Sequence, residues 1–267
     1  MQDRINKLEN HIMETYEKYR EKILNLSTHY FVDIGASCVS EQSQTEFFIS
    51  RGFSGILVEC NPQKYSVLNH RYAGNPNVKI VTEPITPHNV ISILKYYDVP
   101  NDFYLSLDID GYDYFVLEQI LKEYKPALII SEINEKIPAS VKFSVNYTPN
   151  YFWDGTHYYG YSIGMLEDLL ETYGYKIDCL DLNNVVLVPG KQEQNIEDVY
   201  NNGYLNTELR HTRFQYNADF NPVYSMNKEQ QIQFIKSKFD LCENENQPIR
   251  GHQLDGLPVV SRSYTIK

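Results

Sequence analysis

This sequence has no G-x-G-x-x-G run, no C-x-x-C pair, no cluster of Lys and Arg, and no apolar stretch long enough to span a bilayer. The missing glycine pattern removes the usual cradle for a linked pyrophosphate. The four cysteines, Cys38, Cys60, Cys179 and Cys242, stand apart, so neither a zinc knuckle nor a disulfide framework is indicated. They read as reduced thiols, Cys38 and Cys60 as small buried residues rather than nucleophiles. With 24 basic against 35 acidic residues the formal net charge is −11, and without a basic face a nucleic acid is not the expected partner. The absence of a spanning segment, and of a basic flank followed by an apolar signal region, leads to the expectation of a cytoplasmic protein without a membrane partner. Tyrosine, in contrast, is abundant, 23 in 267 residues, which suggests surfaces that stack on rings.

The most informative stretch runs from Tyr30 to Asn61. Tyr30-Phe31-Val32-Asp33-Ile34 is a short β-favouring run, and Gly35-Ala36-Ser37 ends it with small residues suited to a tight turn. The spacing of Phe47 and Phe48 predicts a helix over 41–51, with Gly52 at its C-cap. Gly55-Ile56-Leu57-Val58 is a second apolar run, ending in Glu59. In an open parallel sheet ligands collect beyond the carboxyl ends of the strands, so Asp33 and Glu59 are expected at the rim of one crevice. A small residue after the first strand lets a ligand approach the backbone, and a carboxylate after the second can accept both hydroxyls of a ribose. Glu59 fits a dinucleotide or an adenosyl-methionine ligand; the absent glycines favour the ligand without pyrophosphate.

Beyond this unit, apolar strands alternate with helical segments as far as Pro189, the pattern of a doubly wound sheet. Strands are expected at 78–82, 103–109 and 127–131, helices at 62–72, 87–97, 112–124 and 162–173. The turn Asp181-Leu182-Asn183-Asn184 between the runs 175–180 and 185–188 is short enough to require antiparallel pairing. Residues 1–27 read as an N-terminal amphipathic helix packing on its own domain, or alternatively pairing subunits of a homo-oligomer. Residues 28–190 read as the α/β core, and 191–267 as an appendage that covers the cleft or forms a subunit contact, with a helix over 227–239. Arg210, His211 and Arg213 there read as a solvated surface, with a substrate phosphate as the sharper alternative.

Four segments carry a family resemblance: Val32-Asp33-Ile34-Gly35-Ala36, Val58-Glu59-Cys60-Asn61-Pro62, Leu107-Asp108-Ile109-Asp110-Gly111-Tyr112-Asp113 running on to Val116-Leu117, and Pro126-Ala127-Leu128-Ile129-Ile130-Ser131-Glu132. In this order they resemble the FkbM-type branch of the S-adenosylmethionine-dependent methyltransferases, over about residues 28–190. The resemblance implies a Rossmann-like, mostly parallel seven-stranded sheet with its last strand antiparallel. It implies that Asp33 and Gly35, with Ala36 and Ser37 in the same turn, lie near the methionine part of the cofactor. Glu59, followed by Cys60 and Asn61, would hold the ribose, Thr82 and Glu83 would lie near the adenine, and Asp108-Ile109-Asp110 near the transferred methyl. Where the family usually has another glycine after the Ala, this chain has Val39 nearby.

Methyl transfer from a sulfonium is an in-line displacement, so the protein must align donor and acceptor and remove a proton. Asp108, Asp110 and Asp113 follow one strand, and Glu132 and Asn134 the next. They suit either hydrogen bonding to a polar substrate or coordination of Mg²⁺, and Asp110 also suits a helix cap. The long connection from Asn134 to Ser162 carries Phe143, Tyr147, Tyr151, Phe152, Trp153, Asp154, His157, Tyr158, Tyr159 and Tyr161. Trp153 and Tyr158 suit the apolar face of a sugar ring, Asp154 and Asn134 its hydroxyls, and His157 the role of general base. The expected activity is O-methylation of a small polar acceptor, a sugar or nucleotide-linked sugar of surface polysaccharide or secondary metabolism. The alternatives are a metal-dependent or N-directed methyltransferase, an NAD-dependent oxidoreductase, and a non-catalytic partner-binding module.

Overall fold

The computed structural model describes residues 17–38, 43–211, 215–239 and 262–267. Its centre is a seven-stranded sheet. Five parallel strands, β1 (Tyr30–Ile34), β2 (Ser54–Val58), β3 (Val78–Val81), β4 (Tyr104–Leu107) and β5 (Leu128–Glu132), are followed by the hairpin of β7 (Tyr175–Asp181) and β8 (Asn184–Pro189). The order is β3-β2-β1-β4-β5-β8-β7, with β8 antiparallel to both of its neighbours. This is the mostly parallel, Rossmann-like sheet with a reversed last strand that the resemblance implied, with the antiparallel hairpin expected from the short turn at 181–184.

Strand alternation assigns the two faces. Val32, Ile34, Ile56, Val58, Leu105 and Leu107 turn to one face, where they meet α3 (Val90–Tyr96), α4 (Asp113–Glu123) and α5 (Leu166–Tyr173). Phe31, Leu57 and Tyr104 turn to the other, against α1 (Gln44–Ile49), α2 (Pro62–Tyr72) and helical residues 17–24. Tyr19 and Ile23 of that N-terminal segment are fully packed on the sheet, which accounts for their part of its apolar stripe. The stripe's other half, residues 1–16, lies outside the described residues, as do Val39, Arg213 and Cys242. Helix α2 starts where Pro62 occupies its first turn and the Asn61 side chain accepts from the Gln63 and Lys64 N–H groups.

A third, smaller core lies beside the sheet. In the appendage, α6 (Ile196–Tyr200) packs through Val199 and Tyr200 on the first face of the sheet, while a 3-10 segment (Gln215–Ser225), α7 (Lys228–Lys238) and β9 (Tyr264–Ile266) build the third core. Helix α7 opens with a reciprocal capping box between Asn227 and Gln230. β9 pairs antiparallel with β6 (Phe143–Val145), a link that no local sequence pattern announces. Phe143, Tyr158, Phe220, Ile235, Phe239 and Tyr264 fill the space between.

Candidate active site

The register of the sheet builds the site. Ile34 pairs with Val58 and with Leu107, Leu107 pairs with Ser131, and Val58 pairs with Val81. One residue further along, Gly35, Glu59, Thr82, Asp108 and Glu132 therefore form a single row at the carboxyl ends of the strands. A cleft of about 770 Å³ opens above this row, within the usual range for small-molecule sites. A second cavity of about 750 Å³ beside α5 is lined by Ala139, Gly164 and Gln192 among others, and contains none of the row.

The turn after β1 is tightly pinned. The Gly35 and Ala36 N–H groups both donate to the Val58 carbonyl at 3.0 Å, and the Asp108 N–H donates to the Ile34 carbonyl at 2.9 Å. Gly35 has φ +86°, and a Cβ there would stand 1.6 Å from the Asp108 carbonyl oxygen, so only glycine permits this crossing. Ser37, also left-handed with φ 53°, turns its N–H toward the Glu59 carboxylate at 2.8 Å. The Asn61 N–H meets the other Glu59 oxygen at 2.7 Å. Glu59 is thus buried and oriented by two backbone donors, and half of its four lone-pair positions remain for a ligand.

Gly35, Ser37, Glu59, Cys60, Asn61, Asp108, Ile109, Asp110, Glu132 and Trp153 line the cleft, so it gathers most of the expected set. Asp33 and Ala36 are buried beneath it. Asp33 accepts from Thr45 Oγ1 at 2.6 Å, and burial pushes its carboxyl up to about 6. Thr82 and Glu83 are exposed and do not line the cleft; Pro84, Ile85 and Thr86, from the same loop, do. Cys38 and Cys60 are exposed, contrary to the buried role expected of them, because the chain has already left the sheet at both points.

The loop after β4 is held by Asp113. Its carboxylate accepts from the Ile109 and Gly111 N–H groups at 2.8 Å each, while burial pushes its pKa up to about 7. Asp110 does not cap α4; it lies in left-handed conformation (φ 55°) and faces the cleft. Carboxylate oxygens of Asp108, Asp110 and Glu132 lie within 4.8 Å of one another. Asn183 Nδ2 donates to Glu132 Oε1 at 2.6 Å, whereas Oε2 is enclosed and meets no N–H among the described residues. Burial, then the Asp108 and Asp110 charges, push the Glu132 carboxyl well above the carboxylate range, and burial lifts Asp110 to about 6.

The connecting loop divides its aromatic residues. Tyr147, Tyr151, Phe152, Trp153 and Tyr159 line the cleft, together with Tyr112 from the β4 side and Tyr216 from the appendage. Phe143, Tyr158 and Tyr161 are buried in the cores. Tyr158 instead donates its hydroxyl to the Ser263 carbonyl. Asn134, fully buried, donates to the His157 and Tyr159 carbonyls and so braces the loop. Asp154 is engaged by Arg262 at 2.6 Å and does not line the cleft. His157 also lies outside the lining, packed against Tyr216 and Phe220, where burial and the Lys136 charge push it down to about 4.

Two groups escaped the reading of the sequence. Lys64 is, among the described residues, the cation that lines the cleft, which its place one turn into α2 could have suggested. Lys136 is fully buried, with Nζ 4.0 Å from the centre of the Tyr159 ring and no hydrogen-bond partner among the described residues, and burial pushes it down to about 8. Nothing in a polar Asn-Glu-Lys run announces a buried ammonium.

The arrangement is that of a Rossmann-like α/β protein with an acidic, ring-lined cleft at its strand ends. No protein-family model matches the sequence, and no curated protein matches it, so the FkbM-type resemblance rests on the four quoted segments. Solved structures similar to this chain include a protein of the NADB-Rossmann superfamily from Streptococcus agalactiae, at 14% identity and TM-score 0.42 over 83% of this chain and 96% of that one. Another is precorrin-6y C5,15-methyltransferase from Geobacter metallireducens, at 16% identity and TM-score 0.38 over 65% and 86%. A third is an rRNA methylase from Streptococcus thermophilus, at 11% identity and TM-score 0.40 over 67% and 97%. At such values the likeness concerns the fold and carries nothing about the reaction.

Proposed function

We propose that this chain is an S-adenosyl-L-methionine-dependent methyltransferase of a small polar acceptor, with a sugar hydroxyl as the group methylated. The observation that carries the reading is Glu59, buried at the end of β2, aimed by the Ser37 and Asn61 N–H groups, and left with lone pairs for two ribose hydroxyls. The turn at Gly35 brings backbone close to the cleft floor without offering a pyrophosphate cradle. When bound, the cofactor supplies an electrophilic methyl on sulfur; the residues of this chain align the acceptor and take its proton.

For the proton the cleft offers Asp110 and Glu132 rather than His157. The two carboxyl groups face the cleft and have raised proton affinity, which suits a base operating near neutral pH. Trp153 and Tyr216 line the cleft and remain 36% and 42% exposed, which suits stacking on the apolar side of a sugar, and Tyr216 supports the reading of the appendage as a cleft cover. A nucleotide-linked acceptor fits poorly. A phosphate about 4 Å from one ionised carboxylate is opposed by roughly 4 kcal/mol at an effective dielectric constant of about 20, and this cleft holds several. The same three carboxylates also favour a second reading, a metal-assisted transfer in which Asp108, Asp110 and Glu132 hold Mg²⁺. Loss of activity with EDTA and its return with Mg²⁺ would select it.

Calorimetry with S-adenosylhomocysteine tests the principal reading. Glu59→Ala removes two charge-assisted hydrogen bonds, and the expected loss is about 100-fold in affinity, or roughly 3 kcal/mol. Unchanged affinity in the variant, or heat with NAD and none with S-adenosylhomocysteine, overturns it.

A further inference from the structure

Resting on the methyltransferase reading of the cleft, we propose that Glu135 is a positioning residue for acceptor recognition. It lies behind the cleft lining and sets two lining residues, Tyr159 in the wall and Tyr216 in the cover, in one geometry. Glu135 follows β5 by three residues and is buried, and its two carboxylate oxygens serve two different parts of the chain. Oε2 accepts from the Tyr159 hydroxyl at 2.8 Å, and Oε1 accepts from Asn217 Nδ2. Asn217 stands next to Tyr216, which among the described residues is the member of the lining that comes from beyond residue 190. One carboxylate therefore joins the long loop after β5 to the appendage where both meet the cleft.

The surroundings hold this joint from both sides. From the appendage, the Tyr200 hydroxyl donates to the Glu135 carbonyl at 2.8 Å and the Tyr224 hydroxyl to the Lys136 carbonyl at 3.1 Å. On the cleft side, Lys136 Nζ stands 4.0 Å from the centre of the Tyr159 ring, and the Trp153 ring meets Tyr159 at 5.7 Å with 68° between the planes. Adhesion between appendage and core comes from apolar packing of Phe220, Val223 and Phe239 with Ile137, Val141 and Phe143, which has little direction of its own. A buried carboxylate carries a desolvation cost that more apolar packing would avoid; what it adds is fixed hydrogen-bond geometry. Here that geometry falls on the acceptor end of the cleft. The cofactor end is oriented separately, by the Ser37 and Asn61 N–H groups on Glu59.

The test takes Trp153, the one tryptophan in the chain, as its reporter, with acrylamide as quencher and calorimetry with S-adenosylhomocysteine beside it. Glu135→Leu removes both side-chain bonds without leaving a charge. The quenching constant of Trp153 is expected to rise at least about twofold, while affinity for S-adenosylhomocysteine stays within about twofold of wild type. Glu135→Gln keeps both bonds once the Asn217 amide turns over, and should restore the wild-type constant. Tyr159→Phe and Asn217→Leu cut one arm each and should each give part of the rise, so the test holds even where Glu135→Leu does not fold. Unchanged quenching in folded Glu135→Leu, or in both single-arm variants, overturns the inference. So does a Glu135→Gln protein as perturbed as Glu135→Leu, or a fall in S-adenosylhomocysteine affinity beyond twofold in Glu135→Leu, which would make the residue a support of the whole cleft. If S-adenosylhomocysteine gives no heat with wild type and the quenching still changes as expected, the methyltransferase reading falls and the joint at Glu135 stands.

Discussion

The substitution Gly35→Ala tests whether the crossing of two strand ends underlies both the fold and the cofactor site. A Cβ at position 35 would lie 1.6 Å from the Asp108 carbonyl oxygen and 2.6 Å from its carbon, where ordinary contact begins at 3.4 Å. Relief requires the end of β4 to retreat by about 1.8 Å, and dense packing resists such a shift. It would stretch the 2.9 Å bond from the Asp108 N–H to the Ile34 carbonyl. Three costs add: about 1–2 kcal/mol for a left-handed alanine, about 1 for the strained hydrogen bond, and about 1–3 for overpacking. The expected destabilisation is about 3–6 kcal/mol, a large part of the stability of an ordinary domain. Urea unfolding followed by circular dichroism measures it. Gly52→Ala is the control, because Gly52 has nearly the same φ, +80°, with nothing within 4 Å of its Cβ, so it should cost only the backbone strain. Where Gly35→Ala remains folded, its affinity for S-adenosylhomocysteine should also fall at least tenfold, since Asp108 moves with the strand end. A Gly35→Ala protein no less stable than Gly52→Ala would refute the argument.

Asp33 gives the chain a pH dependence. Its folded-state pKa of about 6 lies above the ordinary value of 3.8, so between these pH values the folded protein binds the extra proton and stability falls as pH rises. The share of Asp33 amounts to about 3 kcal/mol at most from pH 4 to 7, Asp110 and Asp113 acting in the same direction, and Asp33→Asn should reduce the slope; an unchanged slope of Tm against pH removes Asp33 as a source. Lys136→Met replaces a buried, unpartnered ammonium with an apolar chain of similar shape, and the expected stability change is within about 1 kcal/mol of zero or favourable. A loss above about 3 kcal/mol in urea unfolding would show that the charge is needed by Glu135 or Glu132. Arg262→Ala frees Asp154 and Thr156 from the C-terminal segment, so hydrogen exchange over 151–160 should quicken about tenfold while S-adenosylhomocysteine affinity is kept; unchanged exchange refutes the latch.

What could be seen in the sequence depended on whether a residue's setting is determined nearby along the chain. Leu128 to Ser131 is an apolar run because both faces of β5 are covered, and Pro62 and Asn61 mark the start of α2 with side chains that act within three residues. Glu59 was legible for the same reason, being the residue after a recognisable strand. The loop between Asn134 and Ser162 has no such periodicity. Tyr158 and Tyr159 are neighbours in sequence, yet one is bonded to the Ser263 carbonyl and the other to Glu135 at the cleft wall. These partners lie 105 and 24 residues away along the chain, beyond the reach of any local pattern. His157 shares this origin: a histidine in a polar loop reads as exposed and titratable, whereas Tyr216 and Phe220 cover it and favour the neutral ring. Asp110 and Asp113 show the limit most sharply. Both are acids beside a helix start, and only the left-handed turn at Asp110 decides that Asp113 binds the loop's N–H groups while Asp110 is released to face Glu132. The chemistry of the cleft therefore rests on one backbone conformation that residue type alone does not encode.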